Sequence, residues 1–88
     1  MTSTEVQEHL YQYLVKLNTF NSPYGVLCGN RVNKKGIPFK SITFGRSRTL
    51  DATISIYNSK FIVLYDSRNR MRQVYRSVEE LKTELDSM

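Results

Sequence analysis

The chain changes its hydrophobic period twice. Near the start, Val6, Leu10, Tyr13, Leu14 and Leu17 recur at spacings of three and four, one face of an amphipathic helix. Thr2, Ser3 and Thr4 are candidate N-caps, because a short hydroxyl accepts from the unpaired N–H groups of a first turn. Glu5 and Glu8 suit the positive end of the helix dipole. Asn18 to Pro23 clusters Asn, Ser and Pro and stops the pattern. The spacing predicts a helix over residues 3–19.

The middle of the chain alternates. Leu50, Ala52, Ile54 and Ile56 point one way, and Thr49, Asp51, Thr53, Ser55 and Tyr57 the other, which describes a strand with one wet face. Asn58-Ser59 reads as a two-residue turn into the apolar, β-branched strand Lys60–Tyr65. Asp66-Ser67-Arg68-Asn69 reads as the next turn, and Arg70–Arg76 as a shorter strand. Upstream, Tyr24–Val32 and Ile37–Phe44 form another pair around the loop Asn33-Lys34-Lys35-Gly36. Pro38, having no N–H to donate, marks an edge strand or a strand end.

The helical period returns at the C-terminal end. Val78, Leu81 and Leu85 make a stripe, and Ser77-Val78-Glu79-Glu80 has the form of a capping box, with Ser77 capping forward and Glu80 reaching back. These elements predict an α+β fold: an N-terminal helix, an antiparallel four- to five-stranded meander sheet and a C-terminal helix. Each helix has one apolar stripe to bury, so both are expected on one face of the sheet. With 88 residues and no linker or repeat, residues 1–88 read as a single compact domain.

Charge adds a division to this plan. The formal charge is +5, but residues 1–19 sum to −1 and residues 77–88 to −3, while residues 20–76 carry +9. The predicted sheet is thus the basic layer and the helices are mildly acidic. Hydrophobic residues at 40% with few Gly and Pro exclude collagen-like and low-complexity classes. Cys28 is the one cysteine, so no disulfide staples the fold. The first residues are polar and acidic rather than a leader, and the longest apolar run, Phe61–Tyr65, is far too short to span a bilayer. A reduced, cytoplasmic (intracellular) protein with no membrane partner is expected.

Catalytic patterns are weak. His9 is the one histidine, with no nucleophile at a recognisable spacing, and it reads as a helix surface residue. No HExxH, paired cysteines, carboxylate cluster or P-loop is present, so no catalytic residue, metal or cofactor is assigned. Aromatics and arginines dominate the basic layer instead. Arg46 and Arg48 share a face with each other, and Arg70, Arg72 and Arg76 share one face of the last strand, with Tyr57 and Tyr75 nearby. Guanidinium groups fit phosphates and guanine edges, and exposed rings stack on bases. These seven residues are the candidate nucleic-acid contacts of a non-enzymatic binding protein, for DNA or RNA.

Ile42 to Glu80 is similar in part to the plant- and phage-type AP2-like or integrase-arm DNA-binding modules, in which a three-stranded sheet backed by a helix enters the major groove. Leu50-Asp51-Ala52-Thr53-Ile54 resembles their second strand, and Tyr75-Arg76-Ser77-Val78-Glu79-Glu80 their strand-to-helix junction. Leu50 stands where that family has Trp, the Gly before the junction aromatic is absent, and an extra strand intervenes, so the chain is not assigned to it. Two other functions fit the composition. One is a phage or mobile-element type module that docks on an acidic protein surface to inhibit or adapt a host protein, or that forms a homodimer if Phe61–Tyr65 is an edge strand. The other is a metal-independent, toxin-like ribonuclease using Arg, Lys and Tyr.

Overall fold

A computed structural model of the chain describes residues 2–17, 26–45, 52–66 and 71–87. Helix α1 (Ser3–Leu17) is followed by strands β1 (Val26–Val32), β2 (Pro38–Phe44), β3 (Ala52–Asn58), β4 (Phe61–Asp66) and β5 (Met71–Tyr75), and then by helix α2 (Val78–Ser87). The strands form one antiparallel sheet in sequence order, β1-β2-β3-β4-β5. The α+β plan, the meander and both helices agree with the expectation. The helix begins where a cap allows: Thr2 Oγ1 accepts from the Glu5 N–H, and Glu5 accepts from the Thr2 N–H. At α2, Ser77 Oγ accepts from the Glu80 N–H, while Glu80 accepts from the Arg76 N–H.

Both helices lie on one side of the sheet. Val6, Leu10 and Leu14 of α1 and Leu81 and Leu85 of α2 bury against Ile42, Phe44, Ala52, Ile54, Ile56, Ile62, Leu64 and Tyr75. These sheet residues are alternate positions, so the pleat sends their neighbours to the other side, where no described helix lies. Each fully buried Leu or Ile here contributes roughly 1.5–3 kcal/mol over leaving it in water.

The turns fix the register. Asn33 Oδ1 accepts from the N–H groups of Lys35 and Ile37, and Gly36 has φ 80°, a conformation that disfavours a Cβ. In the next hairpin the turn is Ser59-Lys60, one residue later than expected: Asn58 remains in β3, next to a register irregularity, and its Oδ1 accepts from the Lys60 N–H. One open reading is resolved and two need correction. Pro38 opens β2, an inner strand, so it marks a strand end and not an edge. Phe61–Tyr65 lies in β4, which pairs with β3 and β5, so its backbone is not available for edge-to-edge dimerisation; the edges are β1 and β5. Asp66 is the last residue of β4 and is fully buried, not a turn residue.

Candidate nucleic-acid interface

The face turned away from the helices is ordered by the ladder register into rows that cross the strands. One row contains Arg31, Phe39, Tyr57, Phe61 and Arg76. Arg31 is opposite Phe39. The Phe39 and Tyr57 rings stack with centroids 5.0 Å apart at 30°. Tyr57 meets Phe61 edge to face, 5.4 Å apart at 89°. The Arg76 guanidinium carbon lies 5.9 Å from the centre of the Phe61 ring, a cation–π contact. The result is an aromatic ridge over three inner strands with an arginine beside each end.

The next row is low. Gly29, Ser41, Ser55, Val63 and Val74 pair in register across all five strands. A Cβ at Gly29 would come within 3.2 Å of Ser41 Oγ, so glycine keeps this floor shallow. A third row aligns Leu27, Thr43, Thr53, Tyr65 and Arg72. Leu27 is 52% exposed, Tyr65 44% and Val74 37%, so apolar surface reaches solvent beside the cations. A hollow of about 680 Å³ opens on this face, lined by Lys34, Lys35, Ile37, Tyr57, Phe61 and Arg72 among others.

Charge is sorted between the two sides. Lys34 and Lys35 in the first hairpin and Lys60 in the second are exposed at the end of the sheet that carries Arg31 and Arg76. Among the described residues, every carboxylate belongs to a helix, except Asp66, which is buried on the helix side. Tyr13 donates to Asp86, and Lys82 lies 3.8 Å from Glu79, so part of the helix charge is satisfied internally.

The predicted contacts divide accordingly. Arg72, Arg76 and Tyr57 share the helix-free face. Tyr75 does not: it is 7% exposed and packs in the core beneath the helices, where burial, with Glu84 adding, pushes its phenol pKa up. Its place among the surface contacts is withdrawn, because β5 alternates and Tyr75 pairs with buried Ile62. Arg46, Arg48 and Arg70 lie outside the described residues. Sequence reasoning missed Arg31, Phe39, Phe61 and Tyr65 as site residues. The signal for Arg31 and Phe39 was the Asn33–Gly36 loop, since a closed hairpin there sets them opposite each other.

Cys28 lies on edge strand β1 with its thiol pKa raised by partial burial and by Glu8, which lowers its thiolate fraction. Among the described residues no three His, Cys, Asp or Glu side chains gather as a metal site, and no helix is long and apolar enough to cross a membrane. No protein-family model, no curated protein and no solved structure matches the chain.

Proposed function

We propose that this domain binds nucleic acid, without catalysing a reaction on it, through the helix-free face of its sheet. The observation that carries this reading is the distribution of charge: Arg31, Arg72 and Arg76 stand on that face with Lys34, Lys35 and Lys60 at its end, while the described carboxylates lie on the other side together with Lys16, Lys40 and Lys82. A polyanion gains from every phosphate it brings there and meets no described acid. The arginines also sit beside rings, Arg31 opposite Phe39, Arg72 opposite Tyr65 and Arg76 over Phe61, surroundings that favour sugar and base contact as well as charge neutralisation.

The test is a salt titration of binding to DNA and RNA oligonucleotides, followed by fluorescence anisotropy. Micromolar binding at low salt is expected, weakening log-linearly as salt rises. Arg31→Ala and Arg72→Ala should each reduce the slope by about one. An absence of binding at low salt, or binding without a salt slope, overturns the reading. The exposed Leu27, Tyr65 and Val74 favour a second reading, an acidic protein partner on the same face. That alternative predicts a stoichiometric partner that survives nuclease treatment, with no oligonucleotide affinity.

A further inference from the structure

We infer that the ligand of this face is single-stranded, and that its strand crosses the sheet along the ridge, with bases against Phe39, Tyr57 and Phe61 and phosphates at Arg31 and Arg76. The inference rests on the nucleic-acid reading above and specifies its ligand. Three observations carry it.

The rings are half-buried, in mutual contact, and placed at the centre of the row, while the cations are at its ends and on the hairpins beside it. A duplex presents phosphates and sugars on its outside and hides its base faces in its own stack. It would engage the cations and leave the ridge against sugars. An unpaired strand presents both groups at once, charge outside and aromatic faces inside.

The dimensions agree. From β1 to β5 the row covers four interstrand spacings, roughly 19 Å. That span takes on the order of three unpaired nucleotides, one for each ring. The floor formed by Gly29, buried Ser41 and half-buried Ser55 lies directly beside the ridge, so a base leaning on a ring has a shelf for its edge and the Ser55 hydroxyl to bond. On the hairpin side of the ridge, the hollow lined by Lys34, Lys35, Tyr57, Phe61 and Arg72 gives a strand lying on the rings further cations to meet.

The composition of the row also selects against the alternative of a second copy. Two such faces apposed about a two-fold axis would set Arg31, Arg72 and Arg76 of one copy against the same basic face of the other. A polyanion meets no such opposition.

The experiment compares a single-stranded oligonucleotide with its own duplex at one salt concentration, using the full chain and the variants Tyr57→Leu, Tyr57→Phe and Phe61→Leu. Leucine keeps apolar bulk on the sheet and removes the ring, and circular dichroism checks that each variant folds. The single strand is expected to bind at least about ten-fold more tightly than the duplex, and Tyr57→Leu to lose about ten-fold in single-strand affinity. Tyr57→Phe should retain it. Tyrosine emission should be quenched by the single strand in the wild type, and less in Tyr57→Phe. Equal or tighter duplex binding overturns the inference while leaving the nucleic-acid reading intact, as does a Tyr57→Leu variant with unchanged affinity. No binding of either form overturns both.

Discussion

At the scale of single residues, the least legible position is Gln7. It interrupts the apolar stripe of α1 and reads as a solvent-facing helix residue, yet its Nε2 donates to the backbone oxygens of Gly29 at 3.1 Å and Ser41 at 3.0 Å. It thereby ties α1 to the first two strands at a half-buried position, under the floor row of the opposite face. Nothing in a hydrophobic pattern marks a polar side chain that buries itself by bonding to backbone. Tyr75 shows the converse error: its neighbours Arg72 and Arg76 suggested surface, whereas its pairing with Ile62 settles that it is core. Because Gln7 bonds two carbonyls in a partly buried site, Gln7→Ala should destabilise the fold by about 1–2 kcal/mol. Chemical denaturation measures this, and an unchanged midpoint would show that water replaces both bonds without cost.

At the scale of elements, the helices and the third strand are legible because each carries a complete signal: an apolar period, a cap and a stop. The strand ends are less so. At Asn58 the side chain takes over a backbone role in the turn, and the strand continues one residue farther than its alternation implies. What no single element reveals is the seam between the two helices, whose residues are 73 positions apart. There Tyr13 donates to Asp86, Lys82 Nζ lies 3.1 Å from His9 Nε2, and the same ammonium stands 4.7 Å from the centre of the Tyr13 ring. The bond to Asp86 raises the Tyr13 phenol above its ordinary value of 10.0. A group whose folded pKa is raised contributes stability that is fully present below its unfolded value and is lost as pH rises through the folded one. The seam should therefore loosen above pH 10.0, and Tyr13→Phe, which has no proton to lose, should abolish that part of the alkaline loss. Thermal melts of both proteins from neutral to about pH 11.5 test it. Parallel stability curves for the two proteins would remove the bond from the account.

At the scale of the whole molecule, the sequence located the basic layer but not its exposed face. Thirteen cations against eight acids, divided along the chain, show that the sheet is the basic part. Period 2 alone places Arg72 and Arg76 on a common side of their strand. It cannot say that Arg31, four strands away in the same row as Arg76, shares that side, because this requires the strand order and every register between them. Once assembled, the face holds two opposed tendencies. Leu27, Tyr65 and Val74 present apolar area that favours covering the surface, and the arginines oppose any cover of like charge. Salt acts on only one of them. At about 0.1 M the Debye length is about 10 Å, so cations on two apposed copies still repel; at about 1 M it falls to about 3 Å and the repulsion is largely screened. Apolar attraction is not weakened by that change. Self-association should therefore be absent at low salt and grow with salt, while affinity for nucleic acid declines over the same range. Sedimentation velocity at the two salt concentrations, set beside the binding titration, measures both trends on one sample. A dimer at low salt that dissociates as salt is added would mean that opposite charges hold it together, and would place its interface on the acidic helices against the sheet of a second copy rather than on two sheet faces.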